Sequence, residues 1–66
     1  MTSLAEALPV QQARVRKILG HYKEIGDAGA FGAAMIEHSL SKADKAVMSG
    51  DINAMIAAHE ELKDIK

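Results

Sequence analysis

The sequence predicts an all-α fold, a small bundle of two to three antiparallel amphipathic helices. Three observations support this fold class: apolar residues recur at helical spacing, glycines interrupt that pattern twice, and no segment alternates with the period of two typical of a strand. Because the breaks at Gly26-Asp27 and Ser49-Gly50-Asp51 are short, successive helices must fold back on one another.

The first helix is predicted over residues 10–25. Its apolar side chains follow the spacing i, i+3, i+4, i+7 and i+10, which places them on one stripe of a helix. They are Val15, Ile18, Leu19, Tyr22 and Ile25.

The segment before this helix allows two interpretations. Ser3 and Glu6 have the spacing of a capping box, but Pro9 follows closely and lacks the N–H that a helix interior needs. Either residues 3–8 form a short turn and the main helix starts with Pro9 in its first turn, or one kinked helix passes through Pro9. We favour the short turn.

The second and third helices are predicted over residues 28–48 and 52–65. Asp27 and Asp51 are their expected N-terminal caps, and Gly50 is the expected C-terminal cap between them. The second stripe consists of Phe31, Met35, Ile36, Leu40, Ala43 and Val47. The third consists of Ile52, Met55, Ile56, His59 and Leu62.

The core of such a bundle is thin for its composition. Of the 66 residues 48% are hydrophobic, but 12 are alanines, which bury little area. The chain has no cysteine, which excludes a disulfide and a thiolate metal site. Small domains that lack such supports often associate, so we expect the bundle to be completed by self-association as a homodimer or higher oligomer.

A segment rich in small residues is the predicted contact. Gly29 and Ala33 are four residues apart, a spacing that lets another helix approach closely, and glycine inside a helix costs about 1 kcal/mol. This segment either packs internally against the first helix or contacts a second copy with Phe31 as the buried anchor. The predicted interface residues are Gly29, Phe31, Gly32, Ala33 and Ile36.

The first helix is basic, and this suggests an alternative function. Arg14, Lys17 and Lys23 are candidate phosphate contacts of a small nucleic-acid-binding regulator. The ordinary interpretation is a solvated face whose charges are balanced by acidic residues elsewhere in the chain. Those acidic residues are Glu60, Glu61 and Asp64. A net charge of -1 gives the chain no overall attraction to nucleic acid, so nucleic acid is the less favoured partner.

No catalytic, cofactor or metal site is predicted. His21, His38 and His59 fall one to a helix, and spacing alone does not bring them together. The segment starting at His59-Glu60 resembles the zinc protease helix motif, but Lys63 occupies the position of the second histidine. The chain has no paired carboxylates, activated nucleophile or phosphate-binding loop in a suitable context, so we do not expect an enzyme.

The expected location is the cytoplasm. The N-terminus lacks the pattern of a signal peptide, and no run approaches the roughly 18 apolar residues of a membrane span.

Three segments cover most of the chain and carry a resemblance to known proteins: Val10–Glu37, Ser49-Gly50-Asp51 and Glu60-Glu61-Leu62-Lys63, with Asp27 in place of an expected proline. In these segments the chain resembles a group of small uncharacterised helical proteins that phages and prophages of proteobacteria encode. The resemblance implies a phage-derived origin and assigns no catalytic or binding residue. A helical protein in that setting is expected to act by binding, as a protein-protein interaction module that contacts itself and a host protein.

Overall fold

The computed structural model describes residues 3–66, which form three mutually packed helices. They are α1 (Leu4–Ile25), α2 (Ala30–Ser49) and α3 (Ile52–Lys63). A 3₁₀ turn, Gly26–Gly29, joins α1 to α2. Residues 3–66 contain no strand, so the predicted all-α class is confirmed.

The N-terminal half of α1 corrects a prediction. The helix passes through Pro9 without a break, so a separate turn over residues 3–8 is wrong. Ser3 caps the helix, because its Oγ accepts a hydrogen bond from the N–H of Glu6 at 3.3 Å. Proline inside a helix costs about 3 kcal/mol, but Leu8 is fully buried, which stabilises this turn by about 1.5–3 kcal/mol. The packing of Leu8 therefore offsets most of the proline penalty.

The first connection also differs from the prediction. Gly26 ends α1 with φ of 82°, and the chain then winds through the 3₁₀ turn before α2 begins at Ala30. The predicted Asp27 side-chain cap is wrong: the Asp27 backbone carbonyl accepts the N–H of Ala30 instead. Asp27 lies inside the 3₁₀ turn rather than in the extended backbone that a capping residue adopts.

The second connection follows the prediction. Gly50 has a left-handed φ of 71° and donates its N–H to the carbonyls of Ala46 and Val47, which caps α2. Asp51 then caps α3, since its carboxylate accepts from the N–H of Ala54 at 3.2 Å. α3 ends at Lys63, somewhat before the predicted boundary.

The core lies between the three helices and contains many alanines. Its apolar residues are Leu8, Val15, Ala33, Ile36, Leu40, Ala43, Ala46, Met55, Ala58 and Leu62. Several residues that the stripes placed in the core are exposed instead, namely Ile25, Phe31, Met35, Val47, Ile52 and Ile56. Small side chains at the contacts allow the helices to approach closely, and this turns the larger neighbours outwards.

Within residues 3–66, none of the helices combines the length and the apolar character needed to cross a membrane.

Candidate interaction surface

The third helix is about half as long as the first. α1 has 22 residues and α3 has 12, which correspond to about 33 and about 18 Å of helix. Two contacts show where α3 ends. Lys42 Nζ of α2 lies 3.0 Å from Glu61 Oε1, and the Arg14 guanidinium of α1 donates to the Leu62 carbonyl at 2.7 Å. Beyond this level α1 and α2 continue as a hairpin of two helices.

The edge of α2 that faces α3 is apolar in this extension. Phe31 precedes Lys42 by 11 residues, about three helical turns, so both lie on the same edge of α2. Met35 follows Phe31 by one turn. Phe31 is 79% exposed and Met35 is 58% exposed, although both are large apolar side chains.

The edge of α1 that faces α3 is also apolar beyond the end of α3. Ile18 and Ile25 follow Arg14 by 4 and 11 residues, which keeps all three on one edge. Ile25 is 60% exposed, and Ile18 is half-buried. Tyr22 lies between these isoleucines and packs against Gly32 of α2. We define the open face as the five residues on these two edges: Ile18, Tyr22, Ile25, Phe31 and Met35.

The small residues predicted to form an interface pack against Tyr22 of α1 within the same chain. A Cβ on Gly29 would collide with the Tyr22 carbonyl oxygen, and a Cβ on Gly32 would lie 2.6 Å from Cε2 of the Tyr22 ring. Gly29 is buried, as are Ala33 and Ile36, with Ile36 in the hydrophobic core. The internal-packing interpretation therefore accounts for both glycines, and Phe31 is the one strongly exposed residue of the predicted set.

A cavity that is open to solvent on one side lies between α2 and α3, below the level at which α3 ends. Its volume is about 380 Å³. It is lined by Lys42, Ala54, Ala57, Ala58 and Glu61. The walls are mostly methyl groups, and the Lys42–Glu61 ion pair lies at its edge.

The candidate phosphate contacts make different interactions. Arg14 donates to the carbonyls of Leu62 and Lys63, at 2.7 and 3.4 Å, and so satisfies the end of α3. Lys23 forms an ion pair of 3.0 Å with Glu37. Lys17 is exposed, and no carboxylate within residues 3–66 lies at ion-pair distance from it. The basic residues therefore do not form one free stripe.

The balancing charges also differ from those predicted. Asp44 of α2 accepts from Arg16 of α1 at 2.9 and 3.0 Å, and Glu37 pairs with Lys23 as described above. Glu61 pairs instead with Lys42. Acidic residues of α2, rather than the α3 residues Glu60, Glu61 and Asp64, thus neutralise part of α1.

The three histidines lie on three different helices and differ in exposure. His21 and His38 are exposed on α1 and α2, and His59 is half-buried on α3. Within residues 3–66 no three histidine, aspartate or glutamate side chains are grouped so that they could hold a metal ion.

Sequence reasoning assigned Ile25 and Met35 to the core and did not identify the alanine-lined cavity. The spacing of 11 residues between Phe31 and Lys42 was visible in the sequence. Its meaning depended on knowing that Lys42 marks the level at which α3 ends, which only the Lys42–Glu61 contact establishes.

No protein-family model, curated protein or solved structure matches the chain. The functional proposal therefore rests on the surfaces and contacts of this chain.

Proposed function

We propose that this chain is a non-enzymatic protein-protein interaction module that associates with itself as a homodimer. The observation that carries the proposal is the open face, where Ile25, Phe31 and Met35 remain exposed beyond the end of α3. Contiguous exposed apolar surface on a small protein is typical of an interaction site.

Burying the open face would be favourable. Apolar surface removed from water contributes roughly 25 cal/mol per Å², and Phe31 alone is 79% exposed. An aromatic side chain exposed next to a flexible methionine is also typical of the anchors that dominate binding energy at interfaces.

A second copy is the partner best suited to this face. Each copy carries the same apolar edges, so a two-fold arrangement would bury both at once. A standard interface takes about 800 Å² from each partner, which is less than a fifth of the 4520 Å² surface of one chain. Dimerisation would also enlarge a core in which alanine is frequent.

A host protein is the proposed second partner, with the cytoplasm as the setting. The sequence resemblance to phage and prophage proteins motivates this target, because a helical chain of this size with no predicted catalytic site is expected to act by binding. The surface of a dimer would offer such a target a broader and more rigid platform than one chain.

The test is the mass in solution across a dilution series, measured by light scattering together with helicity by circular dichroism. We expect a dimer that dissociates on dilution, and we expect Phe31→Ser and Met35→Ser to weaken it. Met48→Ser is the matched control, because Met48 is 87% exposed but is not part of the open face. A chain that stays monomeric at every concentration would overturn self-association.

A further inference from the structure

Phe31 of the open face and Lys42 of the alanine-lined cavity lie along one edge of α2. Phe31 projects from that edge with 79% of its surface exposed. The cavity begins at Lys42 on the same edge and has room, at about 380 Å³, for an aromatic side chain. Phe31 cannot enter its own cavity, because 11 residues of helix separate it from Lys42 by about 16 Å.

The register of the helices is such that a two-fold axis between two copies would relate the two features. α3 runs antiparallel to α2, with Glu61 beside Lys42. Ala57 lies one helical turn before Glu61, so it stands about one turn further along α2, near Lys45. Phe31 and Lys45 are each seven residues from His38. An axis through His38 therefore places the Phe31 of one copy beside the cavity of the other.

The spacing along α2 also suits a contact between two antiparallel helices. Phe31, His38 and Lys45 repeat every seven residues, as the contact positions of packed helices do. All three residues are exposed. Met35 and Lys42, one turn after the first two, widen the same strip.

The charges around this strip suit a second copy better than a partner whose surface carries charges of a single sign. The α2 edge carries Lys42 and Lys45, while the C-terminal end of α3 carries the exposed Glu60 and Asp64 together with Glu61, which pairs with Lys42. With the axis at His38, Lys45 of each copy faces the partner's Phe31 and Lys42 faces the partner's Ala34, so the lysines of the two strips do not oppose one another. A strongly acidic or strongly basic partner would instead meet like charges on one of the two helices.

Building on the proposed homodimer, we propose that Phe31 of each copy inserts into the cavity between α2 and α3 of its partner. The two α2 helices pack antiparallel and cross near His38. Each copy thus contributes the aromatic side chain that fills the other's cavity, and the interface is isologous.

Filling the cavity tests this arrangement. Ala57 is exposed on α3, so Ala57→Leu should preserve the fold while it blocks entry of the partner's Phe31. We expect Ala57→Leu and Phe31→Ala each to raise the dimer dissociation constant by about 30-fold or more, as loss of a binding hot spot does. Ala13→Leu, at an exposed position of α1, is the matched control and should leave the constant unchanged.

The outcomes separate this inference from the proposed function. A dimer weakened by Phe31→Ala but unaffected by Ala57→Leu would overturn insertion into the cavity and leave self-association intact. A monomeric wild-type chain would overturn both. Circular dichroism of each variant verifies that the helices remain folded.

Crosslinking tests the position of the axis. The natural chain has no cysteine, so an introduced thiol is the only one present in each copy. His38→Cys should give a covalent dimer under mild oxidation, whereas Ala13→Cys should not. Equal yields from the two variants would overturn the proposed crossing at His38.

Discussion

The guanidinium of Arg14 donates to the main-chain carbonyl of Leu62, 48 residues away, at 2.7 Å. The Ile65 N–H donates to the same carbonyl at 3.1 Å, so Arg14 adds a second hydrogen bond at the C-terminal end of α3, where backbone carbonyls have no partner within the helix. A residue that the sequence offers as a phosphate contact acts as a structural link between two helices. The same link fixes the level at which α3 stops and the open face begins.

Removing this link should destabilise the end of α3. We expect Arg14→Met to lower the free energy of unfolding by about 1–2 kcal/mol, since hydrogen bonds from charged groups contribute somewhat more than neutral ones. Urea denaturation followed by circular dichroism measures the change. Lys17→Met is the control and should stay within about 0.5 kcal/mol of wild type. Equal losses for the two variants would contradict a specific role for Arg14.

Two glycines should respond to alanine with opposite sign. Gly20 has open space around its Cβ position, so Gly20→Ala should stabilise α1 by about 0.5–1 kcal/mol through helix propensity. At Gly32 the new Cβ would lie 2.6 Å from the Tyr22 ring. Displacing that ring costs about 1–3 kcal/mol, so Gly32→Ala should destabilise the fold. Thermal denaturation distinguishes the two variants.

The Tyr22 contact can be tested separately. In a Tyr22→Ala background the obstacle to a side chain at position 32 is gone, and Gly32→Ala should become neutral or stabilising. A destabilisation that is the same in both backgrounds would show that the ring is not the cause.

Asp44 should contribute more to the free energy of unfolding than its exposed ion pair with Arg16 alone would. Its Oδ1 accepts from Nε2 of Gln12 at 2.7 Å, and Gln12 is a buried residue. Asp44→Ala leaves that amide without its partner, which costs about 1–3 kcal/mol. Arg16→Ala removes an exposed pair to the same carboxylate and should cost at most about 1 kcal/mol. Similar losses in urea denaturation would contradict the importance of Gln12.

Binding to nucleic acid provides a test of the alternative function. Because Arg14 and Lys23 are engaged within the chain, we expect filter-binding assays to detect no salt-dependent retention of duplex DNA, even near 50 mM salt. The comparison is a double variant with Lys17→Ala and Lys23→Ala, which leaves the hydrogen bond from Arg14 to Leu62 intact. Retention that falls with salt and disappears in this variant would support the nucleic-acid regulator instead.

Local signals predicted much of the fold. Gly50 and Asp51 cap their helices as expected, because left-handed backbone favours glycine and a free amide favours a nearby carboxylate. The predictions at Asp27 and Pro9 were wrong because the surrounding structure overrides the local signal there. Asp27 lies inside a 3₁₀ turn instead of capping α2. The burial of Leu8 offsets the cost of Pro9, so α1 continues past it.

The candidate surface was predicted only in part. Phe31, the predicted anchor, is strongly exposed, whereas the other predicted interface residues Ala33 and Ile36 are buried. Spacing along a helix locates a stripe to within a few tens of degrees, and adjacent stripes on α2 are both apolar. Which of the two stripes is buried depends on where α1 can approach α2 closely. The close contacts of Gly29 and Gly32 with Tyr22 determine that position.

The sequence by itself determined the helical class, the two reversals of the chain and the shortage of large core residues, because these follow from local spacing and composition. The tertiary structure alone decided which stripe of each helix is buried, which charges pair, and how far α3 covers the hairpin of α1 and α2. Those features depend on contacts between residues distant in the chain, such as Arg14 with Leu62 and Lys42 with Glu61. The open face results from that unequal coverage.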